Sequence, residues 1–165
     1  IPEFAVSVAL VAEGIPVAGV IFNPAADELF VTTKGGGTFL NGKRVYCTET
    51  ARLADATLIV SRSEEKRGEI DRFRSHVRHV EAVGSVAYKL ARIAAGLGDL
   101  NVSVQPKNEW DVCAGDLLVR EAGGQMVDLD GEVRRYNCSN PLIAGGLVAG
   151  NPPISRAMLQ LVRAG

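Results

Sequence analysis

Over residues 4–12 apolar positions recur with a period of two, with Val6, Val8 and Leu10 on one side, the mark of a strand. Glu13-Gly14 is a turn signal, and residues 17–22 read as the returning strand of a hairpin. Asn23-Pro24 breaks that strand, and residues 28–33, rich in β-branched and aromatic side chains, form a third. A short strand at 38–40 turns through Asn41-Gly42 into residues 43–46. Residues 1–50 are therefore expected to be an antiparallel meander. Lys34 and the triplet Gly35-Gly36-Gly37 make a tight turn within it. A phosphate cradle is the weaker reading, because the GK[ST] ending and the strand-to-helix context are missing.

From residue 51 onward the pattern changes. Residues 56–61 are a continuous apolar run, as in a strand covered on both faces. A charged amphipathic stretch follows from Ser63 to Val77, with Ile70, Phe73 and Val77 on its inner stripe, and is expected to be one helix. Strands are expected at 80–83, 100–104, 125–128 and 142–148, and helices at 86–95, after Asp111, and at 154–162. Strand and helix alternate, which defines a mixed α/β layer over residues 51–165. No internal repeat or low-complexity tract is present.

The chain has 165 residues, enough for one domain with a real core, and is 47% hydrophobic and 22% charged with a net charge of −1. That balance excludes disorder and argues against an electrostatic nucleic-acid binder. The basic residues from Lys66 to Arg78 alternate with Glu64, Glu65, Glu69 and Asp71, as on a solvated helix face. His76 and His79 fall in or next to that stretch and read as surface residues. Cys47, Cys113 and Cys138 are widely spaced, with no CxxC pair, so neither a disulfide framework nor a zinc site is indicated. Three free thiols point to a reducing, cytoplasmic setting. No apolar run reaches the ~18 residues of a membrane span, so no membrane partner is expected.

Two strand-to-helix turns carry the candidate chemistry. Gly84-Ser85 opens one helix and Trp110-Asp111 opens another. Asp111 reads as an N-cap, and Gly123-Gly124 as the helix stop. Ligands of open α/β sheets gather at the carboxyl ends of strands, where helix N-termini offer free amides to anions. Asp111 could place a cation beside such an anion, and a divalent metal with a phosphate ester suits that arrangement. Plain capping by Asp111 and by Ser85 is the competing reading of both turns.

Residues 110–124 then resemble the signature WD-x-x-A-G-x-x-L-V-x-E-A-G-G of the inositol monophosphatase family. The matching positions are Trp110, Asp111, Ala114, Gly115, Leu118, Val119, Glu121, Ala122, Gly123 and Gly124. Residues 19–43 resemble that family's meander, and Gly84-Ser85 with its helix to Ala95-Gly96 resembles its substrate-facing turn. The resemblance implies a layered αβαβα sugar-phosphatase-type sandwich, Mg2+ dependence, a small phosphorylated substrate and a homo-oligomer, usually a homodimer. It implies that Asp111 ligates metal and helps place the attacking water. Gly84 and Ser85 would contact substrate, and Arg62 and Glu109 are further candidates for substrate binding, with Lys107 and Asn108 beside them. Glu109-Trp110-Asp111 is also similar to the E-W-D of 3′(2′),5′-bisphosphate nucleotidases, the alternative function. Trp110 is expected to be buried packing rather than a base-stacking platform. A non-catalytic binding protein on the same scaffold is a third reading.

The family's upstream glutamate pair and its D-P-x-D-G-T loop have no counterpart here. The chain is similar to the last two-thirds of such an enzyme, truncated at the N-terminus, and is expected to be a piece of a longer protein. One carboxylate is too few for magnesium, so the 165 residues alone are expected to be nearly inactive.

Overall fold

In the computed structural model, which describes residues 3–164, two sheets enclose a layer of helices. The meander consists of β1 (Val6–Ala12), β2 (Ile15–Asn23), β3 (Glu28–Thr33), β4 (Gly37–Leu40) and β5 (Lys43–Val45), paired antiparallel in sequence order. Its tight turns use left-handed residues: Glu13 and Gly14 have φ of 52° and 78°, and Asn41 and Gly42 have 48° and 77°. These angles fit the two-residue hairpins whose twist matches that of the strands.

The second sheet has the order β10-β12-β8-β6-β7. Its strands are β6 (Thr57–Ser61), β7 (His79–Val83), β8 (Leu100–Ser103), β10 (Gln125–Asp128) and β12 (Leu147–Gly150). β6 runs parallel to both β7 and β8, whereas β12 is antiparallel to β8 and to β10. Two short strands, β9 (Lys107–Asn108) and β11 (Leu142–Ile143), pair separately. The helices are α1 (Arg62–Lys66), α2 (Asp71–Arg74), α3 (Val86–Ala94), α4 (Glu109–Glu121) and α5 (Pro152–Ala164).

α3 and α4 pack on each other and lie between the two sheets, and α5 covers the far face of the second. Two apolar cores result. One joins Ile21 and Phe30 of the meander to Leu90, Ile93, Val112 and Leu118 of the central helices. The other joins Leu58, Val60 and Val148 of the second sheet to Phe73, Ile154 and Met158. The α3–α4 crossing is close because Gly115 has no side chain: a Cβ there would lie 2.6 Å from the Leu90 side chain.

Several elements depart from the sequence reading. The helix expected over 63–77 is two short segments, α1 and α2, because Gly68 adopts a left-handed φ of 72° between them. The strand expected over 142–148 is broken between β11 and β12. There the chain presses on β8 so closely that a Cβ on Gly146 would fall 1.9 Å from the Ser103 carbonyl oxygen. On β1 the large residues Val6, Val8 and Leu10 face outward, 56%, 59% and 63% exposed, while Ser7, Ala9 and Val11 turn inward. His76 and His79 are exposed, as expected.

Candidate active site

The three parallel strands β6, β7 and β8 end on one edge of the second sheet, and the chain leaving each strand carries a candidate residue. Arg62 follows β6, Gly84-Ser85 follow β7, and Lys107 lies just beyond β8, followed by the first turn of α4 with Asp111. Carboxyl ends of neighbouring parallel strands are where ligands of open α/β sheets bind.

Asp111 is not the N-cap. That position belongs to Asn108, and Asp111 is the third helical residue of a capping box. Its carboxylate accepts from the Asn108 amide at 3.1 Å. Asp and Asn share the task because each has a short side chain that can reach the free amides of a first turn. Asp111 is half-buried, and this bond engages one of its two carboxylate oxygens.

Ser85 is an N-cap, its hydroxyl accepting from the Tyr88 amide at 3.3 Å. Its backbone is unusual for a serine, with φ 60° and ψ 121°. The Gly84 amide donates to the Glu3 carboxylate at 2.5 Å, and Arg62 pairs with the other Glu3 oxygen at 2.6 Å.

Glu109 is buried and committed to the loop after β10. It accepts from the Asn137 amide at 2.8 Å and the Cys138 amide at 3.4 Å, and pairs with Arg134 at 3.3 Å. Burial pushes its acidity one way and these donors push it further the other, so the carboxyl titrates below the usual range. Trp110, expected in the core, is 62% exposed: it follows Glu109 on the helix, and the inward direction at this point is taken by Glu109 and Val112.

A buried charged cluster lies behind these residues, and composition gave no hint of it. Glu64, Lys89 and Lys107 are 1%, 1% and 9% exposed. One Glu64 oxygen accepts from the Ser103 hydroxyl at 2.6 Å and the Val104 amide at 3.2 Å, while its Oε2 has no hydrogen-bond partner among the described residues. Lys107 donates to the Gln105 and Pro106 carbonyls. Burial pulls the Lys89 ammonium down to about 8, with Glu64 opposing and Lys107 reinforcing the shift. Burial likewise lowers Lys107, which feels both Glu64 and Asp111. Lys89 could have been suspected from its place on the inward stripe of α3, since Lys is almost never fully buried without a reason.

Among the described residues no group of three or more His, Cys, Asp or Glu side chains is placed to hold a divalent metal. Magnesium wants near-octahedral oxygen coordination, and Asp111, whose carboxylate interacts with the Lys107 ammonium, does not supply it alone.

Two sheets around a central helix pair, with charged residues converging at the carboxyl ends of parallel strands, define a layered α/β sandwich of the sugar-phosphatase type. The inositol monophosphatase family matches residues 1–164, and the chain belongs to that family. It is 41% identical to an inositol-1-monophosphatase of Mesorhizobium japonicum over 170 residues, and 35% identical to the Nus factor SuhB of Escherichia coli over 173. Each alignment covers 99% of this chain and 61% of the relative, so the chain spans about three-fifths of the length of these relatives. Among solved structures, the IMPase of Thermotoga maritima superposes with a TM-score of 0.86 at 29% identity, covering 99% of this chain and 62% of that one. The extragenic suppressor protein suhB of Bartonella henselae superposes with a TM-score of 0.82 at 34% identity, covering 99% and 65%. Among the described residues no helix is long and apolar enough to cross a membrane.

Proposed function

We propose that the chain is the substrate-facing part of a magnesium-dependent phosphomonoesterase that hydrolyses inositol monophosphate or a similar sugar phosphate. The observation that carries this reading is the convergence of the Gly84-Ser85 turn, Arg62 and the Asp111 carboxylate on one sheet edge. Membership of the inositol monophosphatase family supports it. In this reading Asp111 would give one carboxylate to the metal, and the described residues group no further carboxylates with it. Arg62 and the first turn of α3 receive the anionic ester. Glu109 acts as scaffold, fixing loop 134–138 against α4, rather than as a substrate contact. The protein acts in the cytoplasm as a homo-oligomer, and the outward apolar face of β1 is consistent with a covered surface.

The test is phosphate release from inositol 1-phosphate, with magnesium, by the longest natural form of the protein and by its Asp111→Asn variant. Turnover by the first and background by the second is the expected result. The 165-residue chain alone is expected to be nearly inactive. No turnover by the longer form on any phosphomonoester would instead favour a non-catalytic binding protein.

A second reading has its own observation. Lys89 and Lys107 are two buried ammonium groups that interact with each other and with the buried Glu64 carboxylate, and Trp110 is exposed. A bisphosphorylated nucleotide would draw on both features, the positive field of the two lysines favouring a second phosphate and the indole offering a face to a base. Comparing inositol 1-phosphate with adenosine 3′,5′-bisphosphate as substrates decides between the two.

A further inference from the structure

Three segments far apart in sequence meet at the carboxylate of Glu3. Its Oε1 pairs with the Arg62 guanidinium at 2.6 Å, across 59 residues, and its Oε2 accepts from the Gly84 amide at 2.5 Å, across 81. The packing is as close as the bonding. A Cβ on Gly84 would lie 2.9 Å from the Glu3 carbonyl oxygen and 3.0 Å from the Glu3 Cβ. Glycine at 84 is therefore required by the approach of Glu3 rather than by its own backbone angles.

The next residue explains why such a brace is needed. Ser85 holds a left-handed φ of 60°, which a residue other than glycine occupies only under strain. A strained turn persists only when its surroundings over-determine it. On the helix side the bracing is the Ser85 hydroxyl on the Tyr88 amide, with the Tyr88 hydroxyl in turn on Glu28 at 2.7 Å. On the strand side the bond to Glu3 secures the turn. An isolated surface ion pair is worth little, but here the same carboxylate also carries a backbone amide next to a strained residue. Arg62 is about half exposed, and its planar fork has more donors than the Glu3 bond uses.

We propose that Glu3 is a positioning residue of the cleft, its carboxylate fixing the Gly84-Ser85 turn and the Arg62 guanidinium in the one arrangement that receives an anionic group of the substrate. The proposal rests on the phosphomonoesterase reading above. Glu3 does not touch substrate. Both of its oxygens are turned to donors, so its charge is offset by Arg62 rather than presented to the incoming anion.

The experiment uses Glu3→Ala and Glu3→Gln in the longest natural form of the protein, with four readouts: hydrogen exchange of the Gly84 and Ser85 amides, their shifts on titration with inorganic phosphate, kcat and KM for a phosphomonoester, and Tm. Losing a charge-assisted hydrogen bond predicts that Glu3→Ala speeds Gly84 exchange about tenfold and weakens phosphate binding about tenfold. KM should rise by about the same factor with kcat changed less than about threefold, because ground-state and transition-state binding are lost together. Glu3→Gln keeps an acceptor for the Gly84 amide, so it should restore slow exchange but leave KM raised, since its NH2 group would face the Arg62 guanidinium donor to donor and no longer hold it in place. Unchanged Gly84 exchange in Glu3→Ala overturns the proposal, as does a fall in Tm and kcat at constant KM, which is the mark of a purely structural brace. A wild type that turns over normally beside an unaffected Glu3→Ala sinks the positioning role alone. A wild type without turnover, in which Glu3→Ala still abolishes the phosphate-induced shifts, sinks the phosphatase reading alone.

Discussion

Glu121, the last residue of α4, reaches into the glycine turn between β3 and β4 and accepts from the Gly35 amide at 2.9 Å and the Gly37 amide at 3.1 Å. Gly35 and Gly37 both have left-handed φ, 77° and 84°, which points successive amides at one carboxylate. The turn thus does bind an anion, and the anion is the protein's own. Glu121→Ala should cost about 1–2 kcal/mol, the range for charge-assisted bonds discounted for partial exposure. Glu121→Gln, which keeps one acceptor, should recover about half of that. Urea denaturation measures both, and an Ala variant as stable as wild type would show that the turn stands without its ligand.

Asp111 has a structural and a chemical role, and two substitutions separate them. Asn can still accept from the Asn108 amide, so Asp111→Asn should keep stability to within about 0.5 kcal/mol, while Asp111→Ala should lose about 1 kcal/mol through the broken capping box. Both should reduce phosphate release by the longer protein to background. An Asn variant with full activity would remove the metal-ligand role and leave only the cap.

Gly115 sets the distance between the two central helices. Ala at this position must displace Leu90, whose side chain would lie 2.6 Å from the new Cβ, and overpacking of this kind costs about 1–3 kcal/mol. Because α3 begins with Ser85 and α4 carries Asp111 in its first turn, spreading the pair also separates the two candidate contacts. Gly115→Ala should therefore lower Tm and raise KM together, and pairing it with Leu90→Ala should restore both in part. Loss of Tm with no restoration by the second change would show that Leu90 is not the obstruction.

Local rules were enough to read the hairpins of the meander, because Glu13-Gly14 and Asn41-Gly42 take the left-handed angles that their turn type demands. The apolar run at 56–61 was legible for a similar reason: a strand covered on both faces needs no alternation. What stayed hidden depends on partners distant in sequence. The outward face of β1 was invisible because period two says that one face differs from the other, not which is buried. Glu64 looked like one more charge on a solvated helix, and only the fold brings it against Ser103 and Val104. The role of Asp111 was half-read, since Asn108 competes for the cap and a spacing of three residues makes either order possible.

Lys89 ties stability to pH in a direction that can be measured. Burial lowers its ammonium from the ordinary 10.5 to about 8, partly offset by Glu64 and deepened by Lys107. Between those two values the unfolded chain holds a proton on this lysine that the folded chain has released. The unfolded state binds more protons there, so stability rises with pH from about 8 to 10.5. Below pH 8 the folded protein bears the full cost of a buried ammonium, about 3 kcal/mol. Lys89→Met removes this titration. The net stability of the variant at pH 7 also includes the loss of a positive neighbour for Glu64, so the pH dependence is the cleaner observable. The difference in unfolding free energy, wild type minus Lys89→Met, should climb by about 3 kcal/mol across pH 8 to 10.5 and be flat from pH 6 to 7.5. A difference that stays flat over the whole range would place the Lys89 ammonium in water rather than in the interior. The same variant tests the cost of keeping a charge there: if a second phosphate is read by the lysines, Lys89→Met should lose activity on the bisphosphate far more than on inositol 1-phosphate.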